Sequence, residues 1–164
     1  SASALLVTHD PHEALAICDR VVVMRRGEIQ QYSTPLEMVS SPSNDFVGQF
    51  VLQRNILPIH CIDHTYTTRV GKINILSNGL ISSESVCMFD KDSIVIEPDQ
   101  KGLFTIVAKE YRINCYFYTV LIDGLKITVK MGLDSNLGIG DTCNARSIVG
   151  KDILILPEKI KTNF

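Results

Sequence analysis

The chain has 164 residues, 45% of them hydrophobic and 21% charged, with a formal net charge of −2. That length suits one ordinary domain or two small ones, with enough apolar material for a core. The slight negative balance argues against a basic nucleic-acid-binding surface; there is no apolar run of ~18 residues for a transmembrane span and no secretory leader pattern, so a cytosolic chain is expected.

Residues 4–8, ALLVT, form a nearly continuous apolar run, the pattern of a strand covered on both faces. Helix-start grammar follows at once. Asp10 suits the cap, Pro11 the first helical position, and Glu13 the reciprocal place in a capping box, so a helix is expected over 11–18. RVVVM at 20–24 is a second apolar strand, Arg26-Gly27 a turn, and EIQQY at 28–32 the returning strand. Thr34-Pro35-Leu36-Glu37 repeats the cap, proline and glutamate spacing, and Pro42 ends that helix. Phe46 and Phe50 stand four apart, as on one face of a further helical turn or two.

After about Gln53 the texture changes. Ile, Val, Thr, Tyr and Phe dominate, broken by Gly, Asn and Asp. Strands are expected at 57–61, 66–70, 73–77, 85–89, 93–97, 103–112, 115–122, 125–130, 142–147 and 153–156. Val70-Gly71-Lys72, Ser77-Asn78-Gly79, Asp123-Gly124 and Gly140-Asp141 supply turns, and Asp123-Gly124 between alternating runs is the strongest hairpin signal. Many short strands at regular spacing suggest a small barrel or sandwich.

Five cysteines, Cys18, Cys61, Cys87, Cys115 and Cys143, are scattered without a close pair. They read as free, mostly buried thiols rather than disulfides or a metal site. His60, Cys61, Asp63 and His64 carry metal-ligating groups, but on a strand His60 and His64 lie about 13 Å apart, too far to share an ion without a sharp bend. Arg25-Arg26 beside Gly27 reads as a solvated turn in preference to an anion patch. Tyr111, Tyr116, Phe117 and Tyr118 have the chemistry of a stacking platform for single-stranded nucleic acid. Tyrosine on a strand is more often packing, and the acidic balance agrees. Asp10 and Glu13 pair as carboxylates, but capping accounts for their spacing. Glu97 and Asp99 flank Pro98 in a β loop, where plain loop polarity outranks contact with a small ligand or partner domain.

The stretch LLVTHDPHEALAICDRVVVMRRGEIQQYSTPLEMVSSPSNDFVGQFV, from residue 5 to residue 51, resembles the end of the nucleotide-binding subunit of ABC importers. The matching features are the Thr8-His9-Asp10 switch loop, Glu13-Ala14, Asp19-Arg20-Val21, the strand ending at Gly27, Gln31 before Thr34-Pro35, and the Pro42-to-Phe46 stretch. The remainder is similar to the TOBE regulatory domain of the sugar, sulfate and ferric-iron importer group. KEYRINCYFYTVLIDGLKITVK, GIGDTCNARSI and ILILP match its later strands. Glu97-Pro98-Asp99 departs from the Arg-Pro-Glu often found there. FVLQRNILPI resembles the cyanobacterial-type ferric-iron branch, with counterparts of Asn55, Leu57 and Pro58.

The resemblance implies a mainly β chain: an OB-like TOBE barrel over 54–164, preceded over 1–53 by a short α/β remnant of an ABC nucleotide-binding domain. It implies the regulatory and dimerising end of an importer's ATP-hydrolysing subunit, with ferric iron as the candidate solute. His9 would contact the γ-phosphate and help place the attacking water. The sequence has no G-x-x-x-x-G-K-[ST] phosphate loop, no Leu-Ser-Gly-Gly-Gln signature and no apolar strand ending in Asp-Glu for Mg²⁺. Those parts are expected N-terminal to Ser1. This chain alone is therefore expected to hold no cofactor and to hydrolyse no ATP; ATP and Mg²⁺ belong to the full subunit.

The implied partners are a second copy, transmembrane permease subunits and a periplasmic solute-binding protein, with no nucleic acid. The implied place is the cytoplasmic side of the plasma membrane, peripheral to its inner face. The apolar strands of the head are expected to be buried by another copy or paired differently from a full subunit. A free-standing OB-like module for a small oxyanion is the alternative, although such a module has no need of VTHDPHEAL. A nucleic-acid-binding barrel ranks third.

Overall fold

The computed structural model describes residues 3–62, 65–72, 85–148 and 153–156. The chain divides into two units, residues 1–54 with 159–164, and residues 55–158.

In the first unit, α1 spans Pro11–Ile17. Strands β1 (Val21–Arg25) and β2 (Glu28–Ser33) form an antiparallel hairpin. Its two-residue turn has left-handed backbone at Arg26 (φ 51°) and Gly27 (φ 82°), the primed geometry that matches strand twist. Helix α2 spans Pro35–Ser40 with the complete capping box at Thr34 and Glu37. The hydrogen bond from the Thr34 backbone N–H holds the Glu37 carboxyl below its ordinary range. Phe46 and Phe50 do pair, with ring centroids 5.3 Å apart, but around a π-helical turn at Val47–Val51 rather than a regular helix. Met38, Val47 and Val51 pack with Val21 and Val23 as the small core of this unit.

One expectation fails here. Residues 4–8 form no strand, and Leu5 and Val7 are 91% and 88% exposed. A two-faced apolar run becomes a strand only when neighbours offer it backbone partners, and among the described residues β1 pairs with β2 alone.

The second unit is all β. Strands β3 (Asn55–Pro58), β4 (His60–Ile62), β5 (Thr65–Thr68) and β6 (Gly71–Lys72) come first. They are followed by β7 (Val86–Phe89), β8 (Ile94–Pro98), β9 (Phe104–Arg112), β10 (Cys115–Ile122), β11 (Leu125–Met131), β12 (Thr142–Ser147) and β13 (Leu154–Leu156). The expected strand at 57–61 is thus split in two, and the one at 73–77 lies outside the described residues. The main sheet has the order β11-β10-β9-β12-β8, flanked by sheets β13-β7-β3 and β4-β5-β6. The β10–β11 hairpin turns at Asp123 (φ 48°) and Gly124 (φ 80°), as its Asp-Gly pair predicts.

The chain is mainly β, as its texture implies, but its sheets do not close into the expected barrel. Strands β11 and β8 approach each other at the two ends of the main sheet, yet among the described residues no ladder joins them. Other groups take the outward-facing polar atoms of β11. The Asn55 side chain donates to the Thr128 carbonyl and accepts from its N–H, both at 2.7 Å. The Lys130 N–H donates to the Lys91 carbonyl at 2.8 Å. Behind this sheet Leu57, Phe104, Tyr118, Ile127 and Val129 are buried in one core. Gly102 lies so close to the Cys143 backbone that no side chain fits there.

Candidate functional site

The loop that carries His9 is built by short-range hydrogen bonds. The Asp10 carboxylate accepts from the His12 N–H at 2.8 Å and the Glu13 N–H at 3.5 Å, capping α1. The Asp10 N–H donates instead to Thr8 Oγ1 at 3.0 Å. Glu13 therefore does not complete the reciprocal box, unlike Glu37 at α2. His9 sits at the bend between these bonds with its side chain exposed. Its position leaves the imidazole open to a ligand, while Asp10 already occupies the free amides of the helix start.

Helix α1 has no buried residue; Ala14, Leu15 and Cys18 pack half-buried against the small core. His12, two positions after the cap, meets Gln53 with 3.4 Å between His12 Nε2 and Gln53 Nε2. Nothing in the sequence pattern signals that contact, which spans 41 positions.

The other candidates resolve into structure. Arg25 lies over the Phe46 ring at 4.7 Å, so the Arg25-Arg26 pair is not simply a solvated turn. Glu97 pairs with Arg146 at 2.9 Å. Asp99 organises its loop: its carboxylate accepts from the Lys101 N–H at 2.8 Å and the Asn144 side chain at 2.6 Å, and its carbonyl from Thr142 Oγ1 at 2.7 Å. Both carboxylates are thus engaged within the β unit, Glu97 through Oε1 and Asp99 through both oxygens.

Tyr111, Tyr116 and Tyr118 stand in a row of tilted ring contacts, with centroids 5.8 and 5.9 Å apart, and Phe117 is not part of it. Tyr118 is fully buried and its hydroxyl donates to the Leu137 carbonyl at 3.2 Å, while Tyr111 is largely exposed. Phe117, one position from Tyr118 on the strand, faces the other way and lies under Lys91 and Arg112. Lys109, which no motif in the sequence marks, donates to the Leu137 carbonyl at 2.8 Å and lies over the Tyr116 ring at 4.2 Å.

Of the metal-type cluster, Asp63 and His64 lie outside the described residues, as does the Cys61 side chain. Among the described residues, no three histidine, cysteine, aspartate or glutamate side chains gather as for a metal ion. Cys18, Cys87, Cys115 and Cys143 are free thiols, all but Cys18 buried. Burial pushes the Cys87 thiol up to about 12 and the Cys143 thiol up to about 11. No described helix is long and apolar enough to cross a membrane.

No protein-family model matches the chain. Individual proteins do. It is 36% identical over 97 residues to a sulfate/thiosulfate import ATP-binding protein of Chromobacterium violaceum, covering 58% of this chain and 26% of that protein. It is 33% identical over 122 residues to a spermidine/putrescine import ATP-binding protein of Spiroplasma citri, covering 72% and 35%. It is 32% identical over 108 residues to an Fe(3+) ions import ATP-binding protein of Rhizobium meliloti, covering 63% and 31%. The chain thus spans between about a quarter and a third of the length of these curated relatives. By this likeness the chain is a homologue of the ATP-binding subunits of ABC importers.

Proposed function

We propose that this chain is the regulatory end of the ATP-hydrolysing subunit of an ABC solute importer, working at the cytoplasmic face of the membrane with permease subunits and a solute-binding protein. Residues 1–53 belong to the nucleotide-binding domain and residues 54–164 form a TOBE-like regulatory domain that pairs with its copy. The observation that carries this reading is the likeness to importer ATP-binding proteins, 33% identical over 122 residues in one of them, and it is supported by the resemblance of residues 5–51 to the end of such a subunit, with Thr8, His9 and Asp10 as the switch loop. Ferric iron is the proposed solute, on the segment FVLQRNILPI and on the iron-import names among the relatives.

In this reading the His9 imidazole reaches the γ-phosphate and orients the attacking water. ATP and Mg²⁺, held by groups beyond these residues, supply the transferred phosphoryl group and its charge neutralisation. The chain by itself turns over no ATP. Two measurements test this. The reading frame upstream of Ser1 is expected to encode a phosphate loop, and a stop codon directly upstream overturns the proposal. In the full-length subunit assembled with its permease, His9→Ala is expected to lower ATP turnover about a hundredfold, the effect of removing one transition-state contact, while nucleotide binding persists. Unchanged turnover removes His9 from the mechanism.

A further inference from the structure

The segment that joins the two units is short and held at both ends. On one side the Leu52 N–H donates to the Val47 carbonyl at 3.4 Å and the Arg54 N–H to the Gly48 carbonyl at 3.0 Å, while Val51 is buried. On the other, Asn55 grips the backbone of Thr128 through both atoms of its amide. Gln53 lies between these anchors with left-handed backbone (φ 51°), a conformation uncommon for a residue other than glycine. Its side chain reaches His12 of α1. Helix α1 is the element whose start Asp10 and Thr8 fix; it has no fully buried residue and packs on the small core through half-buried Ala14, Leu15 and Cys18.

We infer that the His12–Gln53 contact is a latch through which the position of α1, and so the state of loop 8–10, sets the backbone of linker residues 53–54. The physical basis is leverage. An uncommon backbone conformation needs its surroundings to hold it, and here the surroundings include one side chain from the helix that the loop caps. The latch deepens the proposed function, because it would carry the nucleotide state sensed at His9 towards the β unit. It rests on that reading for its biological use but not for its existence.

The test uses amide hydrogen exchange of this chain, read at Leu52, Gln53 and Arg54. Asp10→Ala, which uncaps α1, is expected to speed exchange of the Arg54 amide about fivefold, the factor implied by loss of one side-chain cap. In a Gln53→Gly background, which keeps the left-handed backbone but removes the grip, the same uncapping is expected to change Arg54 little. His12→Ala should mimic uncapping at 52–54, and His12→Gln, which retains an acceptor, should restore protection. Equal effects of Asp10→Ala in both backgrounds, or no effect of His12→Ala, overturn the latch. If Asp10→Ala also speeds exchange in β9–β11, the milder Thr8→Val takes its place in the same comparison. A latch that passes these tests in a protein whose full-length form hydrolyses no ATP sinks the functional reading and leaves the latch intact.

Discussion

The two units handle apolar residues differently. In the β unit most of the exposed large apolar residues, such as Leu103, Ile113, Leu133 and Ile139, lie in the connections between strands, with Val107 and Tyr111 on β9 as exceptions, and the strands turn Ile94, Ile106, Tyr118 and Ile127 fully inward. In the head the exposure runs along the elements themselves: Ile17 on α1, Val22 and Met24 on β1, Ile29 and Tyr32 on β2. Its core is Val21, Val23, Met38, Val47 and Val51. Apolar patterning alone therefore does not decide burial. Both sheets bury one face, so β9 alternates buried Phe104 and Ile106 with exposed Thr105 and Val107 as β1 alternates buried Val21 and Val23 with exposed Val22 and Met24; the outward positions of the main sheet are largely polar, as at Thr105, Lys126, Asn144 and Arg146, whereas those of the head hairpin carry Val22, Met24, Ile29 and Tyr32.

The largest expected effect comes from cutting each core at its centre. Tyr118→Ala should cost the β unit about 4 kcal/mol, through the cavity left by the lost ring, the Leu137 carbonyl keeping its bond from Lys109. Met38→Ala should cost the head about 3 kcal/mol. If the units are energetically separate, each variant speeds hydrogen exchange in its own unit only; a global loss of protection from Met38→Ala would break the comparison. Next is Asn55→Ala, which strips two hydrogen bonds from β11 and should cost about 2 kcal/mol by denaturant titration. A change below about 0.5 kcal/mol would mean water replaces the side chain without loss.

The thiols give the finest contrast. Alkylation near neutral pH should label half-buried Cys18 first, and Cys87 and Cys143 only as the β unit opens. Their folded values are raised to about 12 and about 11 from an ordinary 9.0, so the unfolded chain gives up these protons first. The β unit should keep this stability below pH 9 and lose it as pH rises through 9 towards 11 and 12, readable as an alkaline fall in melting temperature. Equal labelling of Cys18 and Cys87 in the native chain would erase the distinction.

Much of this architecture is legible in residue chemistry. Arg26-Gly27 and Asp123-Gly124 carry the left-handed turns that their composition demands, and Thr34 with Glu37 makes the capping box that their spacing demands. These features are local, so neighbouring residues determine them. Where the outcome depends on distant partners, the pattern misleads. ALLVT has the look of a buried strand and is exposed. Glu13 has the spacing of a box, but Thr8 takes the Asp10 N–H first. Phe46 and Phe50 stack as their spacing suggests, yet on a π-turn. In the candidate site, the cap that Asp10 places on α1 beside His9 is legible from neighbouring residues, while the His12–Gln53 contact has no local signature because 41 positions separate its halves.

The way β11 is finished has a consequence for what can associate with this domain. An open strand normally offers its outward N–H and C=O groups as a template for a foreign strand. Here one asparagine imitates the peptide group of a missing neighbour, and the Lys91 carbonyl supplies a further acceptor. A partner arriving there finds both backbone groups of Thr128 and the N–H of Lys130 already spent. It must recognise side chains there, which ties any association at this rim to sequence rather than to the generic stickiness of β backbone.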